Sequence, residues 1–119
     1  MQQTNQFKLE QQKDITLLYI QGDITAQSEP VINDAYTEAN DQGNVKKILI
    51  QFEEDAYINS GGIAVLIQIL AHTQKQNQQI GITGLSDHFK KIFNMVGIGK
   101  FAGIFDTVED AVAAMSPTS

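Results

Sequence analysis

The chain has 119 residues, a formal net charge of −6 and 42% hydrophobic residues, a composition typical of one globular domain. It contains no cysteine, which excludes disulfides, zinc-thiolate sites and thiol catalysis. All eight basic residues are scattered lysines, so the chain lacks the bidentate arginine contacts that favour phosphate and guanine recognition. We therefore expect a protein that does not bind nucleic acid.

The hydrophobic segments indicate that the chain does not enter a membrane. The longest apolar run covers residues 63–71, with Gln68 inside it, and is too short to cross a bilayer. The N-terminal segment MQQTNQFKLEQQKD is polar and has no apolar stretch of the kind that a signal peptide requires. We expect no membrane insertion and a cytoplasmic location.

The first half of the chain predicts three strands and one helix. Residues 6–10 and 14–22 are strand candidates, and the short polar segment between them can join them into a hairpin. Residues 28–43 predict a helix with Ser28 as its cap. Residues 46–52 (KKILIQF) are apolar on both faces, which predicts a central strand covered on both sides.

The second half continues the same alternation of helices and strands. A helix is expected at roughly 61–76, with an apolar stripe that predicts core positions. That stripe consists of Ile63, Leu66, Ile67 and Leu70. The remaining predicted elements are a strand at 79–84, a helix between Ser86 and Gly97, a strand at 100–105 and a helix that begins at Thr107.

This alternation predicts a single α/β domain, covering residues 1–119, with a mixed, mostly parallel sheet of four to five strands and about four helices. In open α/β sheets, binding sites form beyond the carboxyl ends of the strands. Two loops follow predicted strands there: GDITA at 22–26 and EEDAYINSGG at 53–62. We expect these loops to lie at one edge of the sheet.

Gly61 and Gly62 stand at the start of a helix although glycine is a poor helix former. One interpretation is that they let the helix pack closely against the sheet. The other is that they leave the helix terminus bare for a partner, and it is the one that we favour. Asn59 or Ser60 can serve as the N-cap of this helix.

Three segments together resemble the STAS domain of bacterial anti-sigma factor antagonists. Residues 59–63 (NSGGI) are similar to the family motif Asp-Ser-Ser/Ala-Gly-Leu, which follows a buried strand and opens a helix. Residues 22–25 (GDIT) are similar to the family's earlier loop, Gly-Asp/Glu-Leu/Ile-Asp/Thr. IFNMVGIGKFAGIFDTVEDAVAAM is similar to its late helix, strand and acidic last helix. The resemblance spans roughly residues 7 to 115.

The resemblance implies a regulator that is not an enzyme. The two histidines and the scattered carboxylates show no metal-ligand spacing, so we expect no metal site, and we expect no cofactor. Members of this family bind an anti-sigma factor, commonly a serine kinase with an ATP-binding fold, and so release a sigma factor. The kinase phosphorylates a serine at the helix start, and a phosphatase restores the active form. The expected partner-binding residues are Asp23, Ile24, Thr25, Tyr57, Asn59, Ser60, Gly61 and Gly62.

The sequence departs from the family motif at the phosphoacceptor. The usual acceptor position falls on Gly61, which has no hydroxyl group, and Asn59 replaces the preceding aspartate. Ser60 occupies the neighbouring position, where it is either a helix cap or a displaced phosphoacceptor. Alternatives are a non-phosphorylated scaffold, a component of a lipid-transport complex, or a small hydrolase that uses Ser60.

Overall fold

The computed structural model describes residues 5–41 and 43–116, which form an α/β domain around one mixed sheet. The strands are β1 (Gln6–Gln12), β2 (Ile15–Gln21), β3 (Lys47–Phe52), β4 (Gln79–Thr83) and β5 (Gly103–Ile104). The helices are α1 (Glu29–Asn40), α2 (Ser60–Lys75), α3 (Asp87–Met95) and α4 (Val108–Met115). Two short 3-10 turns, Ala26–Ser28 and Ile98–Lys100, precede α1 and follow α3.

The strands lie in the order β1-β2-β3-β4-β5. β1 and β2 are antiparallel and form the predicted hairpin, whereas β2, β3, β4 and β5 are parallel. The predicted fold class is therefore confirmed. Because the three inner parallel strands all end at the same edge, the loops after β2, β3 and β4 lie there together.

Apolar side chains on both faces of the sheet hold the helices against it. On one face, β3 presents Ile48, Ile50 and Phe52 to the large core formed with α1, α2 and α3. On the other face, Leu49 packs with Met115 of α4 in a smaller cluster. This two-sided burial confirms that β3 is a central strand.

Two local predictions are wrong, and a third holds only in part. Ser28 is the N-cap residue of α1 as predicted, but its side chain makes no capping hydrogen bond, because its hydroxyl donates to Asn5 Oδ1 and the Asp23 carbonyl instead. The strand predicted at 100–105 is reduced to β5, because the chain between Gly97 and Phe101 forms a 3-10 turn. Ile67 is 44% exposed and is not a core residue.

Among the described residues, no helix combines the length and the apolar character that crossing a membrane would require.

Candidate functional site

The loops after β2 and β3 are joined by backbone hydrogen bonds at the carboxyl edge of the sheet. Ile24 and Ile58 form an isolated parallel bridge. The Ile24 N–H donates to the Tyr57 carbonyl at 2.8 Å, and the Asn59 N–H donates to the Ile24 carbonyl at 3.1 Å. The two loops that the sequence predicted at one edge are therefore in direct contact.

Asp23 connects the two loops through its side chain. Its Oδ1 accepts a hydrogen bond from the Tyr57 N–H at 2.9 Å. Its carbonyl accepts hydrogen bonds from Asn5 Nδ2 at 3.0 Å and from Ser28 Oγ at 3.3 Å. The buried Ser28 hydroxyl also donates to Asn5 Oδ1 at 2.6 Å. Hydrogen bonds to Asn5 and Ser28 therefore fix the backbone of the loop after β2. Sequence reasoning missed Asn5, since a lone asparagine before a strand gives no recognisable signal.

Asn59 is the N-cap of α2. Its Oδ1 accepts a hydrogen bond from the Gly62 N–H at 2.9 Å, and its backbone is extended. Ser60 is the first residue of the helix and is exposed, so the interpretation of Ser60 as the cap is wrong. The N–H groups of Ser60 and Gly61 make no hydrogen bond with the described residues, which leaves two donors at the positive end of the helix dipole.

The two glycines let α2 approach the loop after β2. A Cβ atom at Gly62 would lie 2.2 Å from the Ile24 carbonyl oxygen, and one at Gly61 would lie 2.9 Å from the Ala26 Cβ. The expectation of a bare helix terminus is therefore wrong at Gly62, which is buried beneath the protein's own loop, whereas Gly61 is half-buried and its contact with a partner stays a prediction. The close-packing interpretation accounts for the lack of a side chain at both positions, although α2 packs here against the loop after β2 and not against the sheet.

The predicted partner-binding residues divide into exposed and buried groups. Asp23, Tyr57 and Ser60 are exposed, and Tyr57 is the most exposed large apolar side chain of these loops, at 58%. Thr25, Asn59 and Gly61 are half-buried. Ile24 and Gly62 are buried, so they shape this edge but present no side chain to a partner.

Acidic and aromatic groups border the two loops. Glu53 Oε1 accepts a hydrogen bond from the Gly22 N–H at 2.9 Å, while Glu54 and Asp55 are exposed in the turn after β3. The Tyr57 ring contacts the Phe89 ring of α3 edge to face, with centroids 5.8 Å apart. The carboxyl edge of the sheet therefore presents the exposed Tyr57 ring next to negatively charged side chains.

A hydrolase that uses Ser60 would need a histidine beside it, and His72 of the same helix does not fill that role. His72 stacks on Tyr36, and it lies twelve positions after Ser60, or about 18 Å along the helix axis. Across residues 5–41 and 43–116, no group of three histidine, aspartate or glutamate side chains could hold a metal ion.

The sequence matches the family model described as the STAS domain over residues 6–111. An anti-sigma factor antagonist from Mycobacterium paratuberculosis has a similar structure, with a TM-score of 0.74 and 16% identity over 93% of this chain and 93% of that chain. The Thermotoga maritima protein TM1081 gives a TM-score of 0.74 and 12% identity over 95% of this chain and 90% of that chain. The Bacillus cell fate determinant SpoIIAA, in its phosphorylated form, gives a TM-score of 0.63 and 18% identity over 93% of this chain and 100% of that chain. At these identities the structural matches establish a shared fold.

Proposed function

Because the chain belongs to the STAS domain family, we propose that it is an anti-sigma factor antagonist, which binds an anti-sigma factor and thereby releases a sigma factor. Among the structurally similar proteins, the mycobacterial one and SpoIIAA are described as anti-sigma factor antagonists. The observation that carries the proposal is the joined pair of loops at the carboxyl edge of the sheet, held by the Ile24–Ile58 bridge. We call this edge, with Asp23, Thr25, Tyr57, Asn59 and Ser60, the docking edge.

The docking edge has the features of a protein-binding surface. Its backbone is fixed by hydrogen bonds within the domain, so little conformational entropy is lost when a partner binds. Tyr57 supplies an exposed aromatic side chain, the residue type that is enriched among energetically dominant contacts. The partner that we propose is an anti-sigma factor of the serine-kinase type with an ATP-binding fold, and both proteins would act in the cytoplasm.

We propose that Ser60, not Gly61, is the residue that a kinase could modify at this edge. Ser60 is exposed, and the unpaired N–H groups of Ser60 and Gly61 can bind phosphate oxygens at the helix N-terminus. A phosphate there would add nearly two negative charges to a surface already bordered by Glu54 and Asp55. Phosphorylation would therefore weaken binding, and a phosphatase would restore it.

Native mass spectrometry with the source organism's candidate anti-sigma kinases and ATP tests the proposal. A complex formed without a phosphate mass shift would identify an antagonist that is not switched at this site. A phosphate mass shift that disappears in Ser60→Ala would identify Ser60 as the acceptor. If no candidate kinase gives either a complex or a phosphate mass shift, the anti-sigma function is refuted.

A charge variant separates the effect of phosphate from that of shape. Ser60→Glu adds a negative charge at the exposed first residue of α2, and Ser60→Gln is its neutral control of similar size. Loss of binding in Ser60→Glu alone is expected. Gly61 is a poor position for this test, since any side chain there would meet Ala26.

A second candidate function is a STAS module that is never phosphorylated and acts as a scaffold or within a lipid-transport complex. The absence of a hydroxyl group at Gly61, the usual acceptor position, favours this alternative. Such a protein would not bind anti-sigma kinases. Affinity purification of the tagged chain would instead recover a different, defined complex.

A further inference from the structure

An apolar groove of about 420 Å³ lies between the second half of α2 and the turn that follows α3. Helix α2 lines it with Ile67, Leu70 and Ala71. The opposite wall consists of Val96, Ile98 and Phe101. Its volume lies within the range of small-molecule sites, which are about 300–1,000 Å³ and mostly apolar.

Three of the large apolar side chains that line this groove are unusually exposed. Ile67, Val96 and Phe101 are 44%, 49% and 51% exposed, and they are three of the five exposed large hydrophobic residues in the described part of the chain. Met95, which precedes Val96, is a fourth, at 83%. Hydrophobic exposure concentrated at one site marks a binding surface more often than isolated exposed residues do.

The end of the groove at the last turn of α2 is polar and positively charged. Gln74 and Lys75 line it, and Lys75 is the one charged residue among its lining residues. The Lys75 ammonium makes no ion pair with any residue that the structure describes. This positive charge stands in a protein whose net charge is −6. This end is therefore complementary to a single anionic group.

We propose that the groove binds a carboxylate-terminated acyl chain. The chain lies in the apolar groove between Ile67 and Phe101, and its carboxylate pairs with Lys75. No residue of the docking edge lines the groove, whose nearest lining residue along α2, Ile67, is seven positions or about 10 Å from Ser60, while Lys75 is about 22 Å from it. The proposal therefore stands or falls independently of the anti-sigma function.

Backbone NMR shifts recorded during a decanoate titration, below its critical micelle concentration, test the proposal. We expect saturable shifts confined to the residues around Ile67, Lys75 and Phe101. Decyltrimethylammonium carries the same chain with the opposite charge and should bind at least tenfold more weakly. Shifts that are absent, that never saturate or that are spread over the surface would overturn the proposal, as would equal binding of the cationic amphiphile.

Matched variants locate the two halves of the ligand. Ala71 is exposed and lines the groove, so Ala71→Phe fills the groove without removing a core side chain, and it should abolish decanoate binding. Lys75→Glu should weaken binding about tenfold, because an exposed ion pair is replaced by a repulsion of similar size. Lys91→Glu, at an exposed lysine that does not line the groove, should change binding less than twofold.

A second copy of the chain is the main competing occupant. Sedimentation velocity over a wide concentration range would reveal it as a dimer that Ile67→Gln dissociates. Such a dimer, undisturbed by decanoate, would overturn the proposal, because the groove would then be covered by protein. A monomer at all concentrations, together with saturable decanoate binding, would support it.

Discussion

At the scale of single residues, Gly62 determines how closely α2 approaches the loop after β2. A Cβ atom there would lie 2.2 Å from the Ile24 carbonyl oxygen, a backbone atom that is itself held by the Asn59 N–H. Relief of this clash must move either the helix or the bridged loop. The glycine is therefore a structural requirement of the docking edge.

We expect Gly62→Ala to lower the free energy of unfolding by about 2 kcal/mol or more, because overpacking a tight contact typically costs 1–3 kcal/mol. Urea denaturation followed by circular dichroism measures the change. Gly99→Ala is the control, since its Cβ would meet the movable end of the Asn94 side chain. Equal stability of wild type and Gly62→Ala would contradict the packing role.

The N-cap gives a second prediction at the residue scale. Asn59→Ala removes the hydrogen bond to the Gly62 N–H and should lower the free energy of unfolding by about 1 kcal/mol. Asn59→Asp keeps a side-chain oxygen that can accept this hydrogen bond, so it should lower the free energy of unfolding by less than Asn59→Ala does. Ser60→Ala should remain within about 0.5 kcal/mol of wild type, because Ser60 is exposed and caps nothing. If Ser60→Ala lost more free energy of unfolding than Asn59→Ala, Ser60 and not Asn59 would be the N-cap of α2.

At the scale of elements, an ion pair ties the β1–β2 hairpin to β3. Lys47 Nζ lies 2.8 Å from Asp14 Oδ2. The hydrogen bond from Lys47 holds the pKa of the Asp14 carboxyl below its ordinary value of 3.8, although loss of hydration opposes the shift. Because the folded pKa is the lower one, the pair's contribution to stability is complete above pH 3.8 and is lost as the pH falls through the folded pKa.

An NMR titration of the Asp14 carboxyl tests this pair. In wild type the midpoint should lie below 3.8, and in Lys47→Gln it should move up toward that value. Asp14→Asn should accordingly lose less stability than wild type when the pH falls below 3.8. An unchanged midpoint in Lys47→Gln would show that the ion pair does not form in solution.

The sequence predicted the elements with strong periodicity and missed those that depend on tertiary contacts. Strand β3 was predictable because its apolar residues face both sides of the sheet. The segment 100–105 was not, because Phe101 is exposed and only Gly103 and Ile104 pair with β4. An apolar segment of this length does not reveal which of its residues will find a strand partner.

At the scale of the whole molecule, the fold brings two distant loops into one surface. Parallel strand order was enough to predict that the loops after β2 and β3 share an edge. The bridge between Ile24 and Ile58 and the bond from the Tyr57 N–H to Asp23 were not predictable, since they join residues more than thirty positions apart. The close approach to the same loop also assigns Gly62 to packing within the domain, where a bare surface for a partner had been expected.

The central claim is that the docking edge binds an anti-sigma factor, and the affinity of a Tyr57 variant tests it most directly. Isothermal titration calorimetry would compare wild type with Tyr57→Ser, and with Ile67→Ser, at an exposed apolar residue outside the docking edge, as the matched control. The account predicts that Tyr57→Ser weakens binding about thirtyfold or more, as expected when a dominant aromatic contact worth about 2 kcal/mol is lost, while Ile67→Ser leaves binding unchanged. Equal affinity of wild type and a folded Tyr57→Ser protein would contradict it.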